Sequence, residues 1–278
     1  MARLELEMDL RRGLDRGEFL IHYQPKVLLE TERIIGFEAL VRWQHPTRGL
    51  VSPGEFIPVA EETGLIIPLG RWVLEEACRQ TKIWQRQYPL DPPLTISVNL
   101  STKQFMQPDL VGQIARVLQD TGLDPATLQL EITESVLIDE SQFTEDMLLK
   151  LKAMKIGLKI DDFGTGYSSL NYLRRLPFDT LKIDRSFLTG MAVSRESLAI
   201  VRTIISLAHN LGMAVVAEGV ETIEQLTQLR SLGCYYGQGY YFSTPVNSKA
   251  AAVLLMSPDR VKSYEGIEAQ ACEVRVVV

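Results

Sequence analysis

Polar side chains recur at the ends of the apolar, strand-length segments of this 278-residue chain. In chain order they are Glu38, Asn99, Glu131, Asp161 with Asp162, Lys182 with Asp184, Glu218 and Gln238. Taken singly, an acid can cap the next helix, Asn99 can form a turn and Lys182 can face solvent. Together, their oxygens form a hard ligand set without histidine or cysteine, which suits Mg²⁺ or Mn²⁺ rather than Zn²⁺. The recurrence indicates one site for divalent cations.

The segment "LKIDDFGTGYSSL" places two acids, Asp161 and Asp162, side by side where an apolar run ends. Each carboxylate raises the cost of ionising the other, so the pair needs a compensating positive charge. Bound divalent cations would supply it. Gly164 and Gly166 allow a sharp turn beside the acids and leave room for a ligand. The segment lacks a GxGxxG pattern, so it does not predict a dinucleotide-binding turn.

The elements that must position these residues are strands alternating with helices. Strand-length apolar runs occupy 19–27, 34–43, 94–100, 128–133, 156–163, 180–187, 214–220 and 239–243. Segments with helical spacing of apolar residues lie between most of them, which favours a parallel sheet covered by helices. At this length the pattern predicts an α/β fold, a modified TIM (β/α)8 barrel. Only six residues, 28–33, separate the first two strands, so we expect an antiparallel pair there. In such barrels the active site lies at the carboxyl ends of the strands, where the polar residues recur.

Composition excludes several classes of protein. The formal net charge of -6 argues against general nucleic-acid binding. No apolar run reaches about 18 residues, so we expect no membrane span. The first residues lack the apolar core of a signal peptide. Three cysteines at unrelated spacings are typical of free thiols in a reducing compartment, and we expect a cytoplasmic protein.

Nine segments together resemble one known family. In order they are "YQPKV" (23–27), "FEALVRW" (37–43), "FIPVAEETGLI" (56–66), "SVNLS" (97–101), "LEITES" (130–135), "DDFGTGYSSL" (161–170), "LKIDRSF" (181–187), "AEGVET" (217–222) and "GQGYYFSTP" (237–245). This series resembles the EAL-domain cyclic-di-GMP phosphodiesterases over about 18–256. The Glu-Ala-Leu triplet alone would carry no weight, whereas the ordered set is specific.

The resemblance implies a site with two Mg²⁺ or Mn²⁺ ions and inhibition by Ca²⁺. One metal would be held by Glu38, Asn99, Glu131 and Asp161, and Asp161 would also reach a second metal held with Asp162. Lys182 would touch the attacking water or the phosphate, and Glu218 would orient or deprotonate the water. Glu221 and Gln238 would support these groups. Glu134 would anchor the "DDFGTG" loop.

The resemblance also implies the substrate contacts. Arg42 would meet a phosphate as a planar fork. Gln24, Phe56, Pro58 and Glu61 would grip a guanine base, and Asp184 would lie near the ligand. Phe56 has an equally good interpretation as a core residue of its helix. The implied reaction is metal-dependent hydrolysis of cyclic-di-GMP to linear pGpG by an activated water.

The resemblance divides the chain into a lead-in helix (1–17), the EAL phosphodiesterase barrel (18–256) and a C-terminal tail (257–278). It further implies a homodimer and fusion to GGDEF or sensor domains in a longer protein. Three alternatives remain: an inactive cyclic-di-GMP receptor, an unrelated metal-dependent barrel enzyme and a scaffold. An inactive receptor would lack metal ligands or the loop motif, and this sequence keeps both. An unrelated enzyme would not explain the ordered motifs. In a scaffold, polar groups collected at one rim would only lower stability, because burying them without partners costs free energy.

Overall fold

Eight strands close into a barrel surrounded by helices in the computed structural model of the chain, which describes residues 2–137, 141–164, 170–191 and 194–256. The predicted tail, 257–278, and Gly166 lie outside the described residues. The strands are β1 (Phe19–Leu28), β2 (Arg33–His45), β3 (Gly49–Val51), β4 (Thr95–Leu100), β5 (Leu128–Thr133), β6 (Gly157–Phe163), β7 (Thr180–Ile183), β8 (Ala214–Ala217) and β9 (Tyr236–Gly237).

The sheet has the order β1-β9-β8-β7-β6-β5-β4-β2-β3, and a β1–β2 pairing closes the ring. From β4 to β9 each strand runs parallel to its neighbour along the ring. Strands β1 and β2 form the antiparallel pair, and β3 extends β2 outside the ring. The predicted TIM barrel with an antiparallel opening pair is therefore confirmed.

Helices cover the outside of the barrel. They are α1 (Ala2–Arg16), α2 (Pro53–Thr63), α3 (Ile66–Gln87), α4 (Thr102–Phe105), α5 (Leu110–Thr121), α6 (Glu134–Leu137), α7 (Gln142–Ala153), α8 (Leu170–Arg175), α9 (Arg185–Leu188), α10 (Arg195–Asn210), α11 (Ile223–Ser231) and α12 (Ser248–Met256). Helix α10 begins after Ser194, whose side chain accepts a hydrogen bond from the Ser197 amide. Among the described residues, no helix combines the length and apolar character that crossing a bilayer requires.

Two predicted strands differ from those observed. The last strand of the barrel is Tyr236–Gly237 rather than 239–243. Residues 239–243 instead turn back, and the Tyr241 amide donates to the Val220 carbonyl. Strand β7 ends at Ile183 because the next residue, Asp184, caps α9 by accepting a hydrogen bond from the Ser186 amide.

The hydrophobic core is divided into two clusters. The larger fills the layer between the barrel and its helices. The smaller lies at one end of β2 and is built from Leu10, Phe19, Trp43, Val51, Phe56, Ala60, Ile66 and Leu69. Helix α1 joins the smaller cluster through Leu10, with Leu6 and Leu14 packed beside it. The apolar side chains thus lie outside the strands, which leaves the barrel interior for polar groups.

Candidate active site

Lys182 lies at the centre of the polar side chains. Its ammonium is 2.9 Å from Asp161 Oδ1, 2.6 Å from Glu218 Oε1 and 3.6 Å from Glu38 Oε2. It also donates a short hydrogen bond to Glu131 Oε2. The five residues belong to β2, β5, β6 and β7 and to the residue after β8, so the barrel brings distant parts of the chain together.

Two amides tie these carboxylates to one another. Gln238, which follows β9, donates to Glu38 Oε2 at 2.6 Å and to Glu218 Oε1 at 3.0 Å. Asn99 on β4 donates to Glu38 Oε1 at 2.8 Å. The structure thus gathers six of the predicted groups around Lys182. We call this set the acid ring: Glu38, Asn99, Glu131, Asp161, Glu218 and Gln238.

A β-bulge explains how adjacent acids can face the same site. Successive side chains of a regular strand point to opposite faces. The pairing of β6 with β7 shifts register between Ile160 and Phe163, and Asp162 has a left-handed φ of 53°. The Asp162 amide donates to Asp161 Oδ1 at 3.0 Å. In consequence, Asp161, Asp162 and Glu218 each offer an oxygen within 4.8 Å of the others.

Burial and mutual repulsion keep several of these acids from ionising easily. Burial raises the pKa of Glu38 and Asp161, and it raises the pKa of Glu218 to about 8. Burial and then the charge of Asp184 raise the pKa of Asp162. Burial opposes the charge of Lys182, but the surrounding carboxylates raise its pKa well above the ordinary value.

A second polar layer lies beneath the acid ring, on the side of the strand amino ends. Its members are Lys26, Ser97, Gln129 and Lys159. Each lies on the same strand as an acid-ring residue or as Gln24, two positions away, so its side chain points to the same face. Lys159 Nζ is 3.1 Å from Ser97 Oγ and 3.5 Å from Glu131 Oε1. Lys26 donates to Ser97 Oγ and, at 2.7 Å, to Gln129 Oε1.

Sequence reasoning missed this lower polar layer, although the period-two spacing of its residues within apolar strands is a usable signal. The layer has a direct effect on Glu131. Burial opposes ionisation of that acid, but Lys182, Lys159 and Lys26 hold its pKa below the usual range. The carboxylate therefore remains ionised although it is buried.

The residues present fit divalent cations. Five carboxylates, those of Glu38, Glu131, Asp161, Asp162 and Glu218, face the ammonium groups of Lys182, Lys159 and Lys26, a formal excess of two negative charges. Buried Glu131 Oε1 and Gln238 Oε1 have no hydrogen-bond partner among the described residues. An excess of negative charge at the mouth of the barrel, with buried spare oxygen acceptors beneath it, is an environment that a hard cation stabilises.

Glu134 contacts the glycine turn from α6. Its Oε2 accepts a hydrogen bond from the Gly164 amide at 3.2 Å. Its Oε1 is buried and has no hydrogen-bond partner among the residues that the structure describes, which exclude 165–169. The contact joins the end of β6, where Asp161 and Asp162 lie, to the end of β5.

The predicted substrate residues are less closely grouped. Gln24 lies opposite Glu38 in the β1–β2 register, and Arg42 lies opposite Leu20, further toward the rim. Pro58 is exposed and Glu61 half-buried on α2, and Asp184 caps α9. Glu221 is exposed before α11, and no hydrogen bond or ion pair joins it to Lys182 in the described part of the chain.

Phe56 is a core residue in this structure. Its side chain has no accessible surface, and its ring lies 5.8 Å from the rings of both Phe19 and Trp43. A ring packed on all sides offers no face to a guanine base. The core interpretation of Phe56 is the one that its surroundings support.

Comparison with known proteins gives the same family throughout. The family model described as "EAL domain" matches residues 7–245. The bifunctional diguanylate cyclase/cyclic di-GMP phosphodiesterase MucR of Pseudomonas aeruginosa is 46% identical over 244 residues, which cover 88% of this chain and 35% of MucR. The uncharacterized protein y4lL of Sinorhizobium fredii is 46% identical over 264 residues, which cover 95% of this chain and 31% of y4lL. The chain thus spans about a third of the length of these curated relatives.

Solved structures agree with the family match. A MucR phosphodiesterase in complex with c-di-GMP has a TM-score of 0.85 at 45% identity, covering 89% of this chain and 99% of that one. The EAL enzyme Bd1971, bound to cAMP and cyclic-di-GMP, has a TM-score of 0.88 at 36% identity, covering 91% of this chain and 69% of that one. The chain belongs to the EAL domain family.

Proposed function

We propose that this chain hydrolyses cyclic-di-GMP to linear pGpG with the help of two divalent cations, Mg²⁺ or Mn²⁺. The observation that carries the proposal is the acid ring with Asp162, whose carboxylates outnumber the ammonium groups facing them and converge on one site. The similarity to a MucR phosphodiesterase in complex with c-di-GMP supports the choice of substrate.

In this proposal Glu38, Asn99, Glu131 and Asp161 hold one cation, and Asp161 and Asp162 hold the other. When bound, paired cations lower the pKa of water and neutralise charge on the phosphoryl oxygens. The chain's own residues position the reactants. Arg42 binds a phosphate through its planar guanidinium, and Gln24 orients the nucleotide at the same wall of the barrel.

Glu218 is the proposed general base. Its pKa is about 8 in the metal-free protein, and the charge of bound cations would lower that pKa toward neutrality, where a general base works best. Lys182 and Gln238 both contact its Oε1, which fixes the direction of the carboxylate. Lys182 supplies positive charge to the phosphate or the water, and Asp184 lies at the edge of the ligand site.

The deciding experiment incubates the protein with cyclic-di-GMP and Mg²⁺, Mn²⁺, Ca²⁺ or a chelator, followed by separation of the products. We expect linear pGpG with Mg²⁺ and Mn²⁺ only, because Ca²⁺ prefers longer and looser coordination. Tight binding of cyclic-di-GMP without product under every condition would support the inactive receptor instead.

Three further expectations from the sequence stay predictions. They are homodimerisation, a cytoplasmic location and fusion to GGDEF or sensor domains. The relative MucR is named as a bifunctional diguanylate cyclase and phosphodiesterase, and this chain covers 35% of its length. A relative with a second activity in one chain supports the predicted fusion. Light scattering of the purified chain measures its oligomeric state directly.

A further inference from the structure

One face of the β1–β2 pair continues from the lower polar layer, past the acid ring, toward the rim. Residues directly opposite each other in an antiparallel pair point to the same face. The register pairs Lys26 with Gly36, Gln24 with Glu38, His22 with Leu40 and Leu20 with Arg42. His22 and Leu40 therefore form the step of this wall directly above Gln24 and Glu38.

Exposure along this wall rises toward the rim. Lys26 is 1% exposed and Gln24 is 9% exposed, whereas His22 is half-buried. On the facing strand, Glu38 is 5% exposed, and Leu40 and Arg42 are half-buried. A side chain that faces inward above a buried acid ring, yet remains accessible, is placed to meet whatever binds over that ring.

The surroundings of His22 keep the imidazole neutral. Burial lowers the pKa of His22, the positive charge of Arg42 lowers it further, and the backbone of Pro245 partly opposes both effects. A neutral imidazole has one N–H donor and one acceptor nitrogen, and the hydrogen bond to the Pro245 backbone uses the donor, which leaves the acceptor nitrogen for a ligand. Beside an apolar Leu40, such a group can hydrogen-bond the polar edge of a base while the base rests on an apolar surface.

We infer that His22 contacts the substrate and contributes to recognition of the nucleotide that binds between Gln24 and Arg42. The inference rests on the proposed function, because it takes the ligand over the acid ring to be a guanine dinucleotide. The proposed contact makes His22, on β1, a specificity-determining residue. In the β1–β2 register His22 lies between Gln24 and Arg42, the two residues with proposed substrate contacts. His22 has no part in holding cations.

The test compares His22→Phe, which keeps a ring of similar size but removes both nitrogens, with His22→Asn, which keeps a donor and an acceptor. We expect His22→Phe to raise the KM for cyclic-di-GMP at least fivefold while kcat changes less than threefold. The Kd for cyclic-di-GMP, measured by calorimetry with Ca²⁺, should weaken by a similar factor. His22→Asn should recover part of the loss, and Mn²⁺ binding without substrate should be unchanged in both variants.

If the His22→Phe protein folds and its KM and Kd stay within twofold of the wild-type values, the inference about His22 is wrong and the proposed function is unaffected. Equal weakening of Mn²⁺ binding would also overturn the inference, because the effect would then be a general disturbance of the site. Wild-type protein that neither binds nor cleaves cyclic-di-GMP would overturn the proposed function, and the inference with it. The wild-type measurement thus separates the two failures.

Discussion

At the scale of single residues, the acid ring is a balance of buried charges. The predicted ring residues meet because each lies on a barrel strand or directly follows one; they are Glu38, Asn99, Glu131, Asp161, Glu218 and Gln238. Sequence reasoning could identify them because acids and amides interrupt apolar strands at one end. It missed Lys26 and Lys159, because a strand lysine is typical of an exposed face and only the closed barrel turns both inward.

Replacing Asp161 with Asn tests the role of the carboxylate most directly. Asp161→Asn keeps the shape of the side chain but removes the negative charge proposed to serve both cations. We expect hydrolysis of cyclic-di-GMP to fall on the order of 10³-fold, as for loss of a key electrostatic group. Glu38→Ala should have the same effect.

Initial rates at saturating Mg²⁺ measure the loss, and circular dichroism monitors the fold. Asp146→Asn, on the exposed surface of α7, is the matched control and should keep wild-type activity. Near-normal turnover by Asp161→Asn would contradict the metal assignment.

Cation affinity should depend on pH through Glu218. Glu218 lies beside the proposed ligands Asp161 and Asp162 and its pKa is about 8, so below pH 8 the charge of an incoming cation favours loss of the Glu218 proton. We expect Mn²⁺ affinity to rise between pH 6.5 and 8, by up to about tenfold per pH unit for one proton, and then to level off. Calorimetric titration at several pH values measures the profile, and Glu218→Gln should flatten it. An equally steep profile in that variant would assign the proton to another group.

The same shift affects the stability of the metal-free protein. The folded-state pKa of Glu218 lies above the ordinary value of 4.5, so protonated Glu218 favours the folded state. That contribution is complete below pH 4.5 and is lost as the pH rises through about 8. Chemical denaturation of metal-free protein should therefore show stability falling over this range, less steeply in Glu218→Gln.

At the scale of elements, turns at the strand ends determine where the ring side chains lie. Apolar runs of strand length, separated by segments with helical spacing, predicted the bounds of most strands to within a few residues. It failed for β9, because a two-residue strand carries no periodicity, and at the end of β7, because Asp184 begins a helix there. The bulge at Asp162 is equally invisible in the sequence, since it depends on pairing with β7.

Gly239 tests how closely such a turn must pack. A Cβ at Gly239 would lie 2.2 Å from the backbone N and O of Val220, so the segment that carries Gln238 would have to move. We expect Gly239→Ala to lower the free energy of unfolding by about 1–3 kcal/mol and to reduce activity.

Denaturant unfolding and initial rates measure the two effects. Gly112→Ala on α5 is the control, because a Cβ there meets nothing within 4 Å and alanine favours a helix. If both variants behave alike, close packing at Gly239 does not matter.

Glu134 tests the link between α6 and the glycine turn. Its carboxylate accepts a hydrogen bond from the Gly164 amide, two residues beyond Asp162. We expect Glu134→Ala to weaken both Mn²⁺ affinity and the hydrolysis rate, although Glu134 is not a proposed metal ligand. Glu134→Gln keeps an acceptor and should lose less. An unchanged Mn²⁺ titration in Glu134→Ala would contradict the anchoring role.

At the scale of the whole molecule, α1 completes the smaller core cluster against the barrel. The resemblance predicts a lead-in helix over residues 1–17. In the structure Leu4 and Met8 are 64% and 48% exposed, whereas Leu10 is fully buried. The sequence could not identify the contacting face, because a helix with leucines on several sides does not reveal which side meets a partner.

Leu10→Ala measures what this contact contributes. Removing a fully buried leucine side chain should lower the free energy of unfolding by about 2–5 kcal/mol. Leu4→Ala is the matched control on the same helix, and its exposed position predicts a change within about 0.5 kcal/mol. Denaturant titration compares the two. Equal stabilities would mean that α1 is not part of the folded unit.

The contacts of Lys182 have a consequence for how the protein responds to its supply of cations. One internal ammonium already neutralises part of the charge on four acids that lie far apart in the chain. The barrel can therefore assemble before any metal arrives, unlike small domains that unfold when their zinc is removed. Chelation should abolish the proposed hydrolysis but leave the barrel folded, so that adding the ion back restores activity without refolding.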